Sequence, residues 1–498
     1  MDTTGLLDRK MTSRSGRRVA LVVLCLAFFM VILDSGVVVV ALPSIGRDLR
    51  FTPSSLQWVL SAYLLPFGGL LLLGGRAADL LGRRRVFMAG AALFALASLA
   101  SGLAATSAVL VGARAAQGVA AAAMTPSAMS ILMTTFAEGP ERNRALGAWA
   151  AVGSLGGTAA WILGGPLVSG LGWRWIFFVN IPAGLAVVAL SPVLFSESRQ
   201  PGGPKSIDLP GAVAVTAGLT LAIYAVVEAP SAGWLAPRTL ALLALSAVVL
   251  VIFAAVERRV PVPLAPARLF RSPPVLGGNL LALAVGMIAF SMPFTLTRFA
   301  QQVLGYSPLR FGLAVTIMPA MSVVGAAAGQ RLVSRRGPAP VALAGILAMG
   351  LGCILLTTIS ARGSYLTSIF LPLVIYGPGL GAAYVTGSAA ALTGVGDADA
   401  GLASGLSNAA FQIGGAIGVA VASSVAISTQ HGPGPAGLTQ AAQTAFWAAA
   451  SFTLIGLTAA GILARRTRPA APPPGPAGRQ HDPGRYPGRQ PEIANDRA

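Results

Sequence analysis

Asp34 is the residue of this 498-residue chain whose type and setting point most directly to chemistry. It sits in Leu33-Asp34-Ser35-Gly36-Val37-Val38-Val39-Val40-Ala41-Leu42-Pro43, a lone carboxylate in the outer half of an otherwise apolar run. A carboxylate at bilayer depth is costly unless it is paired, protonated or hydrated. Desolvation disfavours the charged form of such a group, which is the property a proton carrier uses. The plainer alternative is a carboxylate near enough to the outer surface to stay wet. Arg114, in Leu110-Val-Gly-Ala-Arg114-Ala-Ala-Gln117-Gly118, is the one basic residue well inside a helix. Its guanidinium keeps its proton, so it must face water, a carboxylate or a group of carbonyls. Gln117, three residues on, shares its helix face. A fixed cation beside a titratable anion makes a switch: ionised Asp34 attracts Arg114, and protonated Asp34 releases it. An ion pair that only fixes packing is the competing reading.

Other polar residues carry less. Glu228 lies beside Pro230 at the outer end of a span and reads as a solvated helix end. Asp397 and Asp399 precede a helix whose positive dipole end would favour them. Asn408 and Gln412, four apart, put two amides on one face, where they either line a cavity or bond a neighbouring helix. Tyr63, Trp161, Phe290, Phe294 and Phe411, with Phe28 and Phe29, are candidates for a greasy binding wall, against the default of lipid contact or core packing. Cys25 and Cys353 lie in apolar runs and imply no disulfide, while His431 and His481 lie in Gly/Pro-rich stretches. No clustered ligands suggest a metal, and no Gly-x4-Gly-Lys-Ser/Thr loop suggests nucleotide drive.

The elements that position these residues are membrane spans. The chain is 55% hydrophobic and 10% charged, with mean hydropathy +0.73, where soluble chains carry about 25% charged residues. A bilayer needs roughly 20 apolar residues per helix. The apolar runs give fourteen spans, near 19–41, 56–74, 86–105, 107–131, 146–168, 173–195 and 211–229, then 239–257, 276–297, 309–330, 339–360, 366–393, 401–428 and 440–464. Ala104–Ser107 is barely a loop between the third and fourth. The first run continues to Leu42, too long for a cleaved signal. With the N-terminus placed in the cytoplasm, only Arg47, Arg50, Arg174, Arg238, Arg298, Arg310 and Arg362 of the 35 basic residues fall outside. The net charge of +19 is thus a topology signal that puts both termini inside, and nucleic acid is not needed to explain it. Asp79-Leu-Leu-Gly82-Arg83 after the second helix is echoed by Ser334-Arg-Arg-Gly337 after the tenth, as parallel repeats would have it. The Pro- and Arg-rich tail after Arg468 has too few apolar residues to fold.

Six strings together resemble the drug:proton antiporter-2 group, the fourteen-helix branch of the major facilitator superfamily, over roughly residues 19–465. They are Leu33-Asp34 through Leu42-Pro43; Gly75-x-x-x-Asp79-x-x-Gly82-Arg83-Arg84; Arg114-x-x-Gln117-Gly118; Trp173-Arg174-Trp175-Ile-Phe-Phe-Val-Asn180-Ile-Pro182; Gly305-Tyr-Ser-Pro-Leu309-x-x-Gly312; and Ser404-Gly405-Leu-x-Asn408-x-x-x-Gln412. The resemblance implies that Asp34 and Arg114 couple protons. It implies that Gly75, Asp79, Gly82 and Arg83 form a conformational latch, with Asp79 docking near Gly401 in the outward-open state. The seventh and eighth helices would be an insertion peripheral to the cavity. Two departures stand out. The helix-five motif of the group, Gly-Pro-x-x-Gly-Gly, has Ala160-Trp161 in place of Gly-Pro ahead of Gly164-Gly165, and the second-half loop has Ser334 for Asp. Trp161 either narrows the cavity or offers a stacking face.

The resulting expectation is an all-α membrane protein of the major facilitator fold: a cytoplasmic segment 1–18, a six-helix bundle 19–195, a linker with two inserted helices 196–275, a second six-helix bundle 276–465 and a disordered cytoplasmic tail 466–498. Its expected work is proton-coupled export of a neutral or weakly charged lipophile, with Gln117, Tyr63, Trp161, Phe290, Phe294, Asn408 and Gln412 in the cavity. The proton is expected to neutralise Asp34 and displace the substrate. No cofactor beyond the proton gradient, no nucleic acid and a monomer in the cytoplasmic membrane complete it. A proton-coupled importer of a metabolite is the alternative, and a membrane sensor or enzyme a more distant one.

Overall fold

The computed structural model describes residues 14–198, 208–260, 263–264, 267–432 and 434–465. The expectations for residues 1–13 and for the tail 466–498 lie outside these. Fourteen described helices are long and apolar enough to span a bilayer. They are α1 (Gly16–Asp48), α2 (Trp58–Leu81), α3 (Arg83–Gly102), α4 (Ser107–Thr135), α5 (Pro140–Leu171), α6 (Trp175–Leu194) and α7 (Leu209–Ala232). Then follow α8 (Pro237–Glu257), α9 (Pro273–Gln302), α10 (Pro308–Arg336), α11 (Pro338–Leu356), α12 (Leu366–Leu392), α13 (Asp399–Thr429) and α14 (Pro435–Ala464). Without water in the hydrocarbon, backbone N–H and C=O groups must pair within the segment, which leaves the helix as the answer to runs of this length. Proline opens α5, α8, α9, α10, α11 and α14, where its missing N–H costs nothing. The short break between α3 and α4 is real: the Thr106 hydroxyl caps α4 by accepting from the Val109 N–H.

The contacts repeat. In the first six helices α2 packs on α4, α3 on α4 and on α6, and α1 on α5; in the last six α10 packs on α12, α11 on α12 and on α14, and α9 on α13. Glycines let these backbones approach. A Cβ at Gly118 would lie 2.3 Å from the Tyr63 carbonyl oxygen, and one at Gly286 2.0 Å from that of Phe411. Of the inserted pair, α8 packs on α7 and is little buried within the protein. Helix α7 lies along the seam of α2 and α13: Thr216 fills the space beside Gly69, and the Ser424 hydroxyl donates to the Val226 carbonyl at 2.7 Å. Neither inserted helix lines the central cavity.

The echoed loops share one geometry. Gly82 (φ 112°) and Gly337 (φ 80°) each follow a helix, donate an N–H to the carbonyl four residues back, and start the next helix. At the first loop an unforeseen residue completes the turn. Glu197 accepts from the backbone N–H groups of Arg84 and Arg85, both at 3.2 Å, and so closes the positive end of α3. A Cβ on Gly82 would lie 2.5 Å from its carboxylate, whereas nothing stands near Gly337. Glu197→Ala should lower stability by about 1–2 kcal/mol, and Gly82→Ala by about 1–3 kcal/mol. Thermal unfolding in detergent measures both, with Gly337→Ala as a comparison whose Cβ meets no neighbour and which isolates backbone strain.

A cavity of about 980 Å³ lies between the two bundles. Its wall includes Gly75, Asp79, Arg83, Asp399 and Gly401, so it opens at the end of the bundle rich in basic residues. The far end is shut. The Trp161 ring meets Phe311 edge-on at 6.1 Å, the Leu309 N–H donates to the Ser169 hydroxyl at 3.2 Å, and Gln301 Nε2 donates to the Val40 carbonyl at 2.9 Å. Gly165 and Gly312 allow the closest approach, since their Cβ atoms would lie 2.7 Å from Leu309 Cα and 2.4 Å from the Trp161 carbonyl oxygen.

Candidate functional site

Asp34 and Arg114 meet in the middle of the first bundle, both fully buried. The Asp34 Oδ2 accepts from Arg114 Nη1. Its Oδ1 accepts from Gln117 Nε2 at 3.2 Å and from Asn180 Nδ2 at 3.0 Å. Arg114 Nη1 also donates to Gln117 Oε1 at 2.8 Å, and its Nε to the Val59 carbonyl at 3.0 Å. The guanidinium lies 4.4 Å above the Tyr63 ring and 5.8 Å from that of Phe177, and its Nη2 has no partner among the described residues. Gln117 Nε2 is also shared with the Ser98 hydroxyl at 2.8 Å. Five helices, α1, α2, α3, α4 and α6, therefore converge on one charge pair. A buried pair must be well hydrogen-bonded to offset its desolvation, and this one is.

Asn180 is the residue whose part here was not foreseen. Its string was visible, but nothing in it says that the amide reaches a carboxylate 146 positions away. The same string anchors α6 to α1 a second time. Trp173 Nε1 and Arg174 Nη1 both donate to Asp48 Oδ2, at 2.9 and 2.7 Å, and Arg174 stacks on Trp173 at 4.5 Å.

The pair is walled off from the cavity. Asp34, Arg114, Gln117 and Tyr63 contribute nothing to the cavity lining, so a substrate in the cavity does not touch Asp34. Direct displacement of substrate by a proton at Asp34 is thereby corrected for this conformation, because the carboxylate is filled on both oxygens by α4 and α6. Of the residues expected in the cavity wall, Asn408 and Phe28 are there. Gln117 and Tyr63 belong to the ion-pair nest. Trp161 is 6% exposed in the closed far seam, with Ala160 tight against Gly36 of α1. The altered helix-five motif is thus part of the far-end closure. Phe294 is buried beside Arg298. Phe290 packs behind Phe411, which in turn backs Tyr384, a cavity residue. Gln412 packs against Gly68 of α2. Aromatic and amide types fit both a lining and a packed interior, and only the helix rotations separate the two.

At the mouth, Asp79 accepts from Arg83 at 3.1 and 3.3 Å, one turn away. It is not docked at Gly401; both line the open cavity, as does Gly75. The linker after α8 also reaches the mouth, a contribution not expected of the insertion. Arg76 donates to the Pro263 carbonyl at 2.8 Å, and Arg268 holds Asp399 by two hydrogen bonds of 2.5 and 2.9 Å.

A lone pair of opposite charges sealed inside a helix bundle, beside an alternately closable cavity, calls for comparison with known carriers. Residues 24–419 match the family model described as Major Facilitator Superfamily. The chain belongs to that superfamily. It is therefore a multi-pass membrane transporter and not an enzyme. It is 42% identical to a cephamycin export protein of Amycolatopsis lactamdurans over 91% of this chain and 94% of that one. It is 38% identical to a puromycin resistance protein of Streptomyces alboniger, covering 89% and 90%, and 34% identical to a tetracenomycin C resistance and export protein of Streptomyces glaucescens, covering 80% and 74%. With the fourteen spans, these relatives agree with the drug:proton antiporter-2 branch that the motifs suggested. The fold is shared with the nucleoside transporter NupG, at TM-score 0.63 and 14% identity over 90% of this chain and all of that one. It is also shared with a bacterial homologue of the human lysosomal transporter Spinster, at TM-score 0.62 and 17% identity over 92% and all of that chain.

Proposed function

We propose that the protein exports a lipophilic small molecule from the cytoplasm in exchange for protons, with Asp34 as the proton-binding group. The observation that carries this reading is the Asp34–Arg114 pair of α1 and α4, fully buried and hydrogen-bonded to α2 and α6 as well. The relatives named for export or resistance supply the direction and the kind of cargo. The Arg-rich end is read as cytoplasmic, with both chain termini there, and the open cavity is then inward-facing. Substrate enters from the cytoplasm or inner leaflet while Asp34 is ionised and holds Arg114. Protonation removes the attraction, frees Arg114, Gln117 and Asn180, and loosens α1 against α4 and α6. Coupling then runs through helix packing rather than through shared contact with the substrate. Each proton moving inward supplies about 2.3 kcal/mol per 100 mV. No cofactor is needed for such a cycle, and one chain contains both bundles and the cavity, so a monomer suffices.

The test uses purified protein in liposomes with puromycin as the probe. An inward proton gradient should drive puromycin out of the compartment that faces the basic end, and an uncoupler should stop it. Puromycin movement in the same direction as protons would instead favour an importer.

A further inference from the structure

The cavity wall divides by chemistry. On one side, Phe28 of α1 and Trp149 of α5 stack with ring centroids 4.2 Å apart and planes within 10°, beside Met129 and Met133 of α4. On the other, α13 presents Ser404, Ser407 and Asn408. The Asn408 amide makes no hydrogen bond to any described residue, and the Thr125 hydroxyl in the same wall is buried with none. Among the described residues, charged side chains line the cavity at its mouth, where Asp79 is held by Arg83 and Asp399 by Arg268. Deeper in, no carboxylate of the described residues lines the wall.

Resting on the export reading above, we infer that the substrate class is a flat, polycyclic, uncharged molecule bearing hydroxyl or carbonyl groups along one edge. Its face lies on the Phe28–Trp149 pair, and its polar edge bonds Asn408 and Thr125. The stacked rings form a rigid platform because each holds the other's orientation, and an aromatic face prefers an offset-stacked partner. The two methionines adapt to differing outlines. An edge lacking polar groups would leave the amide of Asn408 dry and unpaired, which selects against plain hydrocarbons. A fixed positive charge finds no counter-ion.

The experiment compares proton-driven transport of three probes in liposomes: 1,8-dihydroxyanthraquinone, ethidium and cortisol. They are respectively flat and neutral, flat and cationic, and neutral but not flat. The wild type should move the anthraquinone fastest. Trp149→Leu should slow it about tenfold and slow cortisol much less, while Trp149→Phe should restore most of the anthraquinone rate and show that the ring, not folding, is at stake. Asn408→Leu should slow the anthraquinone as well. Equal loss for both neutral probes in Trp149→Leu, or ethidium as the fastest probe, overturns the inference while leaving export intact. Movement of none of the three, or of puromycin, in the wild type overturns the export reading itself.

Discussion

Asp34→Asn is expected to abolish proton-driven export and, separately, to destabilise the protein, and the two losses should part company in a double variant. Removing one charge from a buried pair leaves the other uncompensated, at a cost of about 3–5 kcal/mol. Here the stranded group would be Arg114, held at zero exposure between the Tyr63 ring and the Val59 carbonyl. Asp34→Asn combined with Arg114→Gln removes both charges and keeps amides of similar length in the nest with Gln117 and Asn180. The double variant should therefore recover most of the thermal stability in detergent yet still fail to move puromycin under a proton gradient. Full export by Asp34→Asn would remove Asp34 from the mechanism. A double variant as unstable as the single one would show that something other than the stranded charge is responsible.

Gly312→Ala is expected to shift the carrier away from the conformation described here. The new methyl would lie 2.4 Å from the Trp161 carbonyl oxygen and 3.6 Å from Gly165 Cα, against backbone with no flexible side chain to yield. The far seam then cannot close as tightly. Overpacking of this kind costs about 1–3 kcal/mol, enough to change the ratio of two alternating states about 5- to 150-fold. Because the clash exists only while the far seam is shut, the cost falls on the inward-facing state alone. The check is a cysteine at Ser407, in the cavity wall, labelled with a membrane-impermeant maleimide. Cys25 and Cys353 are both buried and should give little background. In the Gly312→Ala background, labelling from the basic end should fall and labelling from the far end should rise. Unchanged labelling from both sides would mean that the Trp161–Gly312 contact does not set the balance. Export should drop with it, since substrate loads from the end that has become rarer.

The same two sites show how far the chain itself carried the reading. Hydropathy determines the fourteen spans, because a bilayer admits hardly any solution for such runs except a helix, and the glycine-ended loops at Gly82 and Gly337 mark where helices must stop. The pairing of Asp34 with Arg114 was also legible, since a charge in hydrocarbon must find its opposite and few opposites were on offer, whereas Gln117, expected in the cavity, joins the pair instead. Asn180 was not, because an amide is affordable in many settings and its reach across to α1 depends on how α6 is rotated. For the same reason the aromatic wall was placed only in part: Phe28, one of the candidates, lines the cavity, while the others do not. Phe290, Phe294 and Trp161 are as greasy as Phe28 and Trp149, and apolar surface has no direction of its own; packing of one bundle against the other decided which rings face the cavity. That packing also decides which end is open, through backbone contacts such as Trp161 on Gly312 that depend on shape at distances of a few ångströms. Local composition sets what must be buried. Only the assembled helices set against what, and in which state.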